Sequence, residues 1–141
     1  MDGQRAPNWA QDGSTVLVDA LVDRQSWPQI RRRVGEVGAA AGLADVALMK
    51  FVLVVHELVT NALRHAGGQA VLRIWAQQDQ LWCTVSDRGP GMPAPFLAVQ
   101  RYRPGADIGT WGLWLVRQIC PDLRITSGPD GTEVLISYPT P

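Results

Sequence analysis

The chain has 141 residues, a length that suits one domain better than two. Thirteen basic and thirteen acidic residues give a formal net charge of zero, so the basic excess expected of a nucleic-acid-binding domain is absent. Apolar residues make up 46% and charged residues 18%, which excludes a disordered chain and suffices for a core without disulfides.

The two cysteines lie in apolar stretches and lack the spacing of metal ligands. We expect Cys83 and Cys120 to be buried free thiols in a reducing compartment. No signal peptide is evident, and no continuous apolar run reaches the roughly 18 residues of a membrane span. These features predict a cytoplasmic domain that contacts neither a membrane nor nucleic acid. The basic run at 31–33 is then the solvated face of a helix.

The first elements follow a polar lead-in. Residues 1–13 are predicted to be flexible, and residues 14–141 to form the domain. A short strand over 16–18 comes first. Ser26 can cap the next helix, which carries a proline in its first turn and ends near Ala41.

A second, longer helix is predicted from Asp45, which can cap it, to His65 or Ala66, where two glycines end it. A helical wheel places one apolar group toward the core: Leu48, Val52, Val55, Val59, Ala62 and Ala66. The polar group on the other side comprises Lys50, Glu57, Asn61, Arg64 and His65. The apolar residues beside this polar stripe, Phe51, Val54 and Leu58, indicate that it too is covered.

The second half of the chain alternates strands and turns. Strands are predicted over 70–76 and 80–86 around a turn at 78–79, a loop over 89–109, a helix over 111–120, and strands over 122–127 and 132–138 around a turn at 128–131. Because neighbouring strands pair, we expect a mixed, mostly antiparallel sheet with three helices on one face. The fold class is therefore a two-layer α/β sandwich.

The polar stripe of the long helix points to chemistry. Glu57 and Asn61 lie four residues apart, so both side chains can reach one ligand. An amide oxygen and a carboxylate suit Mg²⁺, and a carboxylate beside a nucleotide can take a proton from an attacking hydroxyl. The plainer alternative is the wet face of an amphipathic helix.

His56 begins two motifs that the following residues do not complete. His56-Glu57 resembles the start of a zinc-protease helix, but Thr60 stands where the second histidine ligand belongs. The same residues resemble the phosphoacceptor box of sensor kinases, which Thr60-Asn61 does not continue. We therefore expect His56 to be an ordinary packed or partly exposed histidine.

Two glycine-containing turns add to the pattern. Asp87 ends a predicted strand, and Gly89 and Gly91 after it allow close approach of the backbone to a ligand. The carboxylate can accept a hydrogen bond from an exocyclic amine such as that of adenine. Gly109 to Gly112 open the third helix, whose free amides could bind phosphate. Each signal alone also fits an ordinary turn.

The order of these segments resembles the nucleotide-binding superfamily of gyrase, heat-shock chaperone ATPases, histidine kinases and mismatch-repair ATPases. The matching segments, over about residues 25–138, are Glu57-Leu-Val-Thr-Asn61-Ala-Leu-Arg-His65 (asparagine box), Asp87-Arg-Gly89-Pro-Gly91 (first glycine box), Gly112-Leu113-Trp-Leu-Val (second glycine box) and Gly131-Thr132 (closing element). Within the superfamily the chain looks most like bacterial anti-sigma-factor serine/threonine kinases.

The resemblance implies roles for the matching residues. Asn61 would ligand Mg²⁺, Glu57 would be the general base for a serine hydroxyl, and Asp87 with Thr132 would hold the adenine amine. The nucleotide-binding set it implies is His65, Gly89, Gly91, Gly109, Thr110, Gly112 and Leu113, together with Asn61, Asp87 and Thr132. Its ligands would be ATP and Mg²⁺. Its partners would be a sigma factor and an antagonist that it phosphorylates, and a homodimer would be possible.

One segment departs from the family pattern. The glycine that usually stands two residues before the Gly112-Leu113 pair falls one residue earlier, at Gly109, and Thr110 and Trp111 fill the gap. This change bears on phosphate affinity and turnover. Trp111 and Trp114 are either core residues or a partner contact.

Two other functions remain open from the sequence. One is a sequestering module in which nucleotide is only a structural ligand. The other is the catalytic half of a histidine kinase that acts on a separate phosphoacceptor protein.

Overall fold

A computed structural model describes residues 14–65, 67–91 and 111–141. The predicted lead-in over 1–13 and most of the predicted loop lie outside this part of the chain. The described elements, in chain order, are β1 (Thr15–Asp23), α1 (Trp27–Ala40), α2 (Asp45–His65), β2 (Gln69–Gln77), β3 (Gln80–Asp87), α3 (Trp111–Ile119), β4 (Arg124–Gly128) and β5 (Gly131–Pro139).

The strands form one sheet in the order β1-β2-β3-β5-β4, and every neighbouring pair is antiparallel. The helices pack on the sheet face that carries Val22, Leu72 and Ile136, all fully buried. The predicted two-layer α/β sandwich is thus confirmed. Cys83 and Cys120 are buried free thiols in this core, as expected, and burial raises the pKa of Cys120 to about 11.

Strand β1 is longer than the sequence predicts, with nine residues instead of three. The predicted strand ends before Asp19, and aspartate is depleted in strands. In the structure Asp19 faces Arg73 of β2 across the sheet, with 3.2 Å between the carboxylate and the guanidinium. The strand continues to Asp23 and pairs with β2 along its length.

Helix α2 is buried over a wider arc than the wheel predicts. Val55, Val59 and Ala62 are buried as expected, but Leu48 and Val52 are only half-buried. The more deeply buried residues of the same helix include Phe51, Val54 and Leu58. The reason is that α2 contacts the sheet, α1 and α3 together, so side chains beside the polar stripe also enter the core.

The composition of α2 would also suit a membrane span by length and hydropathy, a candidate that the sequence-based expectation did not name. Eight of its residues are buried against the rest of the domain, among them Asn61. We interpret α2 as the central core helix of the sandwich.

Both predicted helix caps differ from the structure. The Ser26 side chain makes no bond to α1 and instead bonds Asp23, whose Oδ1 accepts from the Ser26 amide at 2.7 Å. Asp45 is the first residue of α2, with φ of 52°, and the first turn closes from the Leu48 amide to the Ala44 carbonyl. Aspartate tolerates this left-handed backbone, which explains its place there.

Candidate nucleotide-binding site

A narrow cavity, partly open to solvent, lies between the second half of α2, the end of β3 and the start of β5. Its lining comprises Leu58, Asn61, Ala62, His65, Val85, Asp87, Gly91, Thr132 and Val134. Apolar walls with a few convergent polar groups are typical of small-molecule sites. Five residues predicted for the nucleotide therefore meet here: Asn61, His65, Asp87, Gly91 and Thr132.

The α2 side of the site carries the predicted magnesium and base residues one helical turn apart. The Asn61 side chain is only 4% exposed, and its Oδ1 accepts a hydrogen bond from Arg64 Nη2 at 3.4 Å. Glu57 is half-buried and lies beside the cavity rather than in its lining. A carboxylate and an amide oxygen thus follow one edge of the cavity.

Helix α3 begins against Glu57. A Cβ at Gly112 would overlap Oε1 of Glu57, so the carboxylate would have to move to accept a side chain there. The first turn of α3 is therefore close to the carboxylate. Leu113 points elsewhere: it is 1% exposed in the hydrophobic core and does not line the cavity.

The strand side of the site is held by hydrogen bonds around Asp87. Asp87 faces Thr132 across β3 and β5, and Oδ1 of Asp87 accepts from the Gly89 amide at 2.9 Å. Gly89 shapes this turn without lining the cavity. Thr132 is 6% exposed, and its hydroxyl lies 2.7 Å from that of Ser127 on β4.

Two glycines bring neighbouring backbones close to the site. Gly91 has φ of 99°, and a Cβ there would stand 2.6 Å from the Gly128 carbonyl oxygen. Gly131 has φ of 142°, and a Cβ there would collide with the Asp87 carbonyl oxygen. Glycine is thus required where the first turn meets the β4–β5 hairpin. Gly109 and Thr110 lie outside the described residues.

His56 is a packed histidine, as expected. Its Nδ1 accepts a hydrogen bond of 3.1 Å from Trp27 Nε1 on α1, and the two rings lie 6.0 Å apart. Burial, with a smaller effect of Arg31, lowers the pKa of His56. The neutral ring therefore joins α1 to α2 and is not part of the cavity lining.

Sequence reasoning missed Ser127, which touches Thr132. A single serine before a turn belongs to no motif, so its residue type does not indicate a function. The geometry of the turn could have indicated its partner, because Gly128 pairs with Gly131 in a two-residue hairpin. That register places Ser127 opposite Thr132.

The antiparallel sandwich and its cavity define an α/β nucleotide-binding domain of the class that contains the histidine kinase ATPases. A family model described as a histidine kinase-like ATPase domain matches residues 21–138. The chain belongs to this family, which makes it an ATP-binding, kinase-like domain. No curated protein matches the chain.

Solved structures of histidine kinases are similar to the chain. The histidine kinase domain of the blue-light-activated histidine kinase from Erythrobacter litoralis EL346 is 25% identical over 77% of this chain, with a TM-score of 0.55. The chain covers 62% of that protein.

Two other histidine kinase structures share the fold at lower identity. The catalytic domain of ThkA is 14% identical, with a TM-score of 0.55 and coverage of 87% of this chain and 96% of its own. AdeS of Acinetobacter baumannii is 14% identical, with a TM-score of 0.53 and coverage of 88% and 68%.

Proposed function

We propose that this protein is a cytoplasmic serine/threonine kinase of the anti-sigma-factor type, which binds a sigma factor and phosphorylates an antagonist of that binding. The observation that carries the proposal is the position of Glu57. Its half-buried carboxylate stands one helical turn from Asn61 and against the first turn of α3, beside the cavity. That is where a base acting on a phosphate acceptor is needed.

The chemistry of the residues that line the cavity supports an adenine nucleotide as the ligand. Leu58, Val85 and Val134 give the cavity apolar walls that suit a purine ring. At its end Asp87 can accept a hydrogen bond from the exocyclic amine, and Thr132 adds a hydroxyl beside it. His65 and Gly91 complete the lining.

Asn61 is the residue that would hold Mg²⁺, since it lines the cavity and lies one helical turn from Glu57. Bound Mg-ATP would supply the phosphoryl group for transfer. Glu57 would take the proton from the acceptor hydroxyl as the hydroxyl oxygen bonds to the γ-phosphorus; the bond from that phosphorus to the bridging oxygen breaks, and ADP leaves. Gly112 lets the start of α3 lie against Glu57, and the free amides of that first turn would bind phosphate oxygens.

A second function is supported by the comparisons. The solved structures similar to this chain are histidine kinase domains, so phosphoryl transfer to a histidine of a separate protein is the competing proposal. The two differ in the acceptor atom and therefore in the stability of the product: phosphoserine survives acid, whereas phosphohistidine is lost.

Radiolabelling tests both proposals. The protein is incubated with γ-labelled Mg-ATP and an extract of its source cells, using wild type, Glu57→Gln and, as a control on the same helix, Lys50→Gln. Kinase activity predicts an acid-stable label on a protein band that wild type and Lys50→Gln produce and Glu57→Gln does not. Glu57→Gln should still bind ATP, because the substitution removes the base and keeps the shape.

Other results decide against the proposal. An acid-labile label that depends on Glu57 would support the histidine kinase. Equal labelling by wild type and Glu57→Gln would show that Glu57 is not the general base. No labelling, with nucleotide binding intact, would favour a module that sequesters its partner without phosphorylating it.

A further inference from the structure

Two hydroxyl groups are in direct contact behind Asp87. Ser127 on β4 and Thr132 on β5 are register partners, and their hydroxyl oxygens lie 2.7 Å apart. Thr132 is also the register partner of Asp87 on β3, and both line the cavity. The three polar side chains thus follow one another across three adjacent strands.

The direction of the hydrogen bond between the two hydroxyls determines which group the cavity presents to a ligand. Each hydroxyl carries one proton, so only one of the two donates in their shared bond. If Thr132 donates to Ser127, the cavity presents two acceptors side by side, the Asp87 carboxylate and the Thr132 oxygen. If Ser127 donates, the cavity presents the Asp87 acceptor beside a Thr132 donor.

The two purines distinguish these arrangements. Adenine presents its amine donor next to the ring acceptor N1, whereas guanine in the same orientation presents its carbonyl oxygen O6 next to the N1–H donor. The Asp87 carboxylate can therefore accept from adenine, and it opposes guanine O6. A donor at Thr132 matches adenine N1, whereas an acceptor at Thr132 matches the guanine N1–H.

We propose that Ser127 is a positioning residue that donates to Thr132, so that the Thr132 hydroxyl is left to donate to N1 and the site selects adenine over guanine. The inference rests on the proposed assignment of Asp87 to the exocyclic amine. Ser127 itself lies outside the cavity lining and acts through Thr132.

The surroundings of Ser127 hold it in this position. It is half-buried, and its Oγ lies 3.4 Å from the point where a Cβ on Gly91 would stand. The serine is therefore enclosed between the hairpin and the turn that follows Asp87.

The test compares two nucleotides by calorimetry in the presence of Mg²⁺. One is ADP and the other is 1-deaza-ADP, in which a C–H group replaces N1; GDP reports selectivity. The variants are Ser127→Ala, the conservative Ser127→Thr, and Thr126→Ala as a control at the exposed neighbouring position of β4. Thermal unfolding of each variant confirms that it is folded.

We expect Ser127→Ala to weaken ADP binding about two- to twelvefold, the effect of one hydrogen bond. The same substitution should leave 1-deaza-ADP affinity unchanged and should narrow the preference for ADP over GDP. Ser127→Thr and Thr126→Ala should bind ADP like the wild type.

An equal loss for ADP and 1-deaza-ADP would overturn the proposal, because it would reduce Ser127 to a packing role. Unchanged ADP binding by Ser127→Ala would overturn it too. The Asp87→Ala variant distinguishes a wrong role for Ser127 from a wrong binding site. If Asp87→Ala loses ADP binding and Ser127→Ala does not, the nucleotide site is supported and the role of Ser127 is wrong. If Asp87→Ala binds ADP normally, the base assignment and the selectivity proposal fail together.

Discussion

The backbone at the end of β3 fixes the position of the Asp87 carboxylate. The Gly89 amide donates to it, and Gly131 on the neighbouring strand comes so close that a side chain there would overlap the Asp87 carbonyl. These contacts hold Asp87 at the cavity in the absence of a ligand. Preorganisation of this kind lowers the cost of ordering a site when ligand binds.

This close approach predicts the effect of a methyl group at Gly131. Gly131→Ala should lower the free energy of unfolding by about 1–3 kcal/mol, because it combines overlap with a backbone conformation that alanine rarely adopts. Gly128→Ala in the same hairpin is the matched control, since a Cβ there meets nothing within 4 Å. Denaturant unfolding measures both, and equal effects of the two substitutions would contradict the account.

At the scale of elements, the contact between α1 and α2 depends on small residues of α1. A Cβ on Gly38 would stand 2.8 Å from Leu48 Cδ1 and 3.1 Å from Phe51 Cδ2. A Cβ on Gly35, one turn earlier, would be 4.0 Å from Val52, an ordinary contact distance. The two helices can therefore pack closely around Gly38.

The two glycines form a matched pair for mutagenesis. Gly35→Ala should stabilise the protein by up to about 1 kcal/mol, because alanine favours a helix over glycine and has space here. Gly38→Ala receives the same benefit but also overpacks a buried contact, so we expect it to be less stable than Gly35→Ala by about 1–3 kcal/mol. Thermal unfolding compares them; a Gly38→Ala protein as stable as Gly35→Ala would show that the helices can separate at no cost.

Much of the element pattern could be predicted because its signals are local. The glycines after His65 and around the β4–β5 turn end α2 and fix a hairpin, so those boundaries agree within one or two residues. The length of β1 could not be read in this way, since Arg73, the cross-strand partner of Asp19, lies 54 positions further along the chain. The partial exposure of Leu48 and Val52 likewise depends on packing that no local pattern shows.

The candidate site shows the same division. Glu57 and Asn61 follow from helical spacing, and Asp87 from its position at the end of a strand. The family resemblance assigns Leu113 to the nucleotide-binding residues, but its side chain is buried in the hydrophobic core. A helix that contributes its first turn to a site also packs on the domain through an apolar face. Ser127 was missed because its importance comes from register alone.

At the scale of the whole molecule, the strand order joins distant parts of the chain at one site. β5 lies between β3 and β4, which puts Thr132 beside Asp87 although they are far apart in sequence. Helix α2, which packs on β2 and β3, adds Asn61 to the cavity. Turn signals predict the hairpins but not the insertion of β5 between β3 and β4.

Global stability should depend on pH through His56. Its pKa is lowered in the folded protein by burial and by Arg31, while Glu57 raises it by a smaller amount, so the unfolded chain binds a proton first. Stability should be complete above the ordinary histidine pKa of 6.5 and should fall as the pH drops from there through the folded value. Protonation would also remove the acceptor that Nδ1 offers to Trp27.

Unfolding free energies at pH 8 and pH 5.5 measure this effect. The difference between the two values should be smaller for His56→Gln than for the wild type, because glutamine does not titrate and can still accept from Trp27. The interval from pH 5.5 to pH 8 lies above the pH range in which Asp23 titrates, because the Ser26 amide lowers the pKa of Asp23. Asp23 therefore does not contribute to the difference. An equal pH dependence in both proteins would contradict the role given to His56.

The central claim is that a Mg-nucleotide binds in the cavity between α2 and the ends of β3 and β5. A calorimetric titration of ATP, with and without Mg²⁺, into wild type, Asp87→Ala and the exposed control Asp130→Ala tests it most directly. We predict magnesium-dependent binding to wild type and Asp130→Ala that Asp87→Ala abolishes. Absence of binding to the wild type, or equal binding by Asp87→Ala, would contradict the claim.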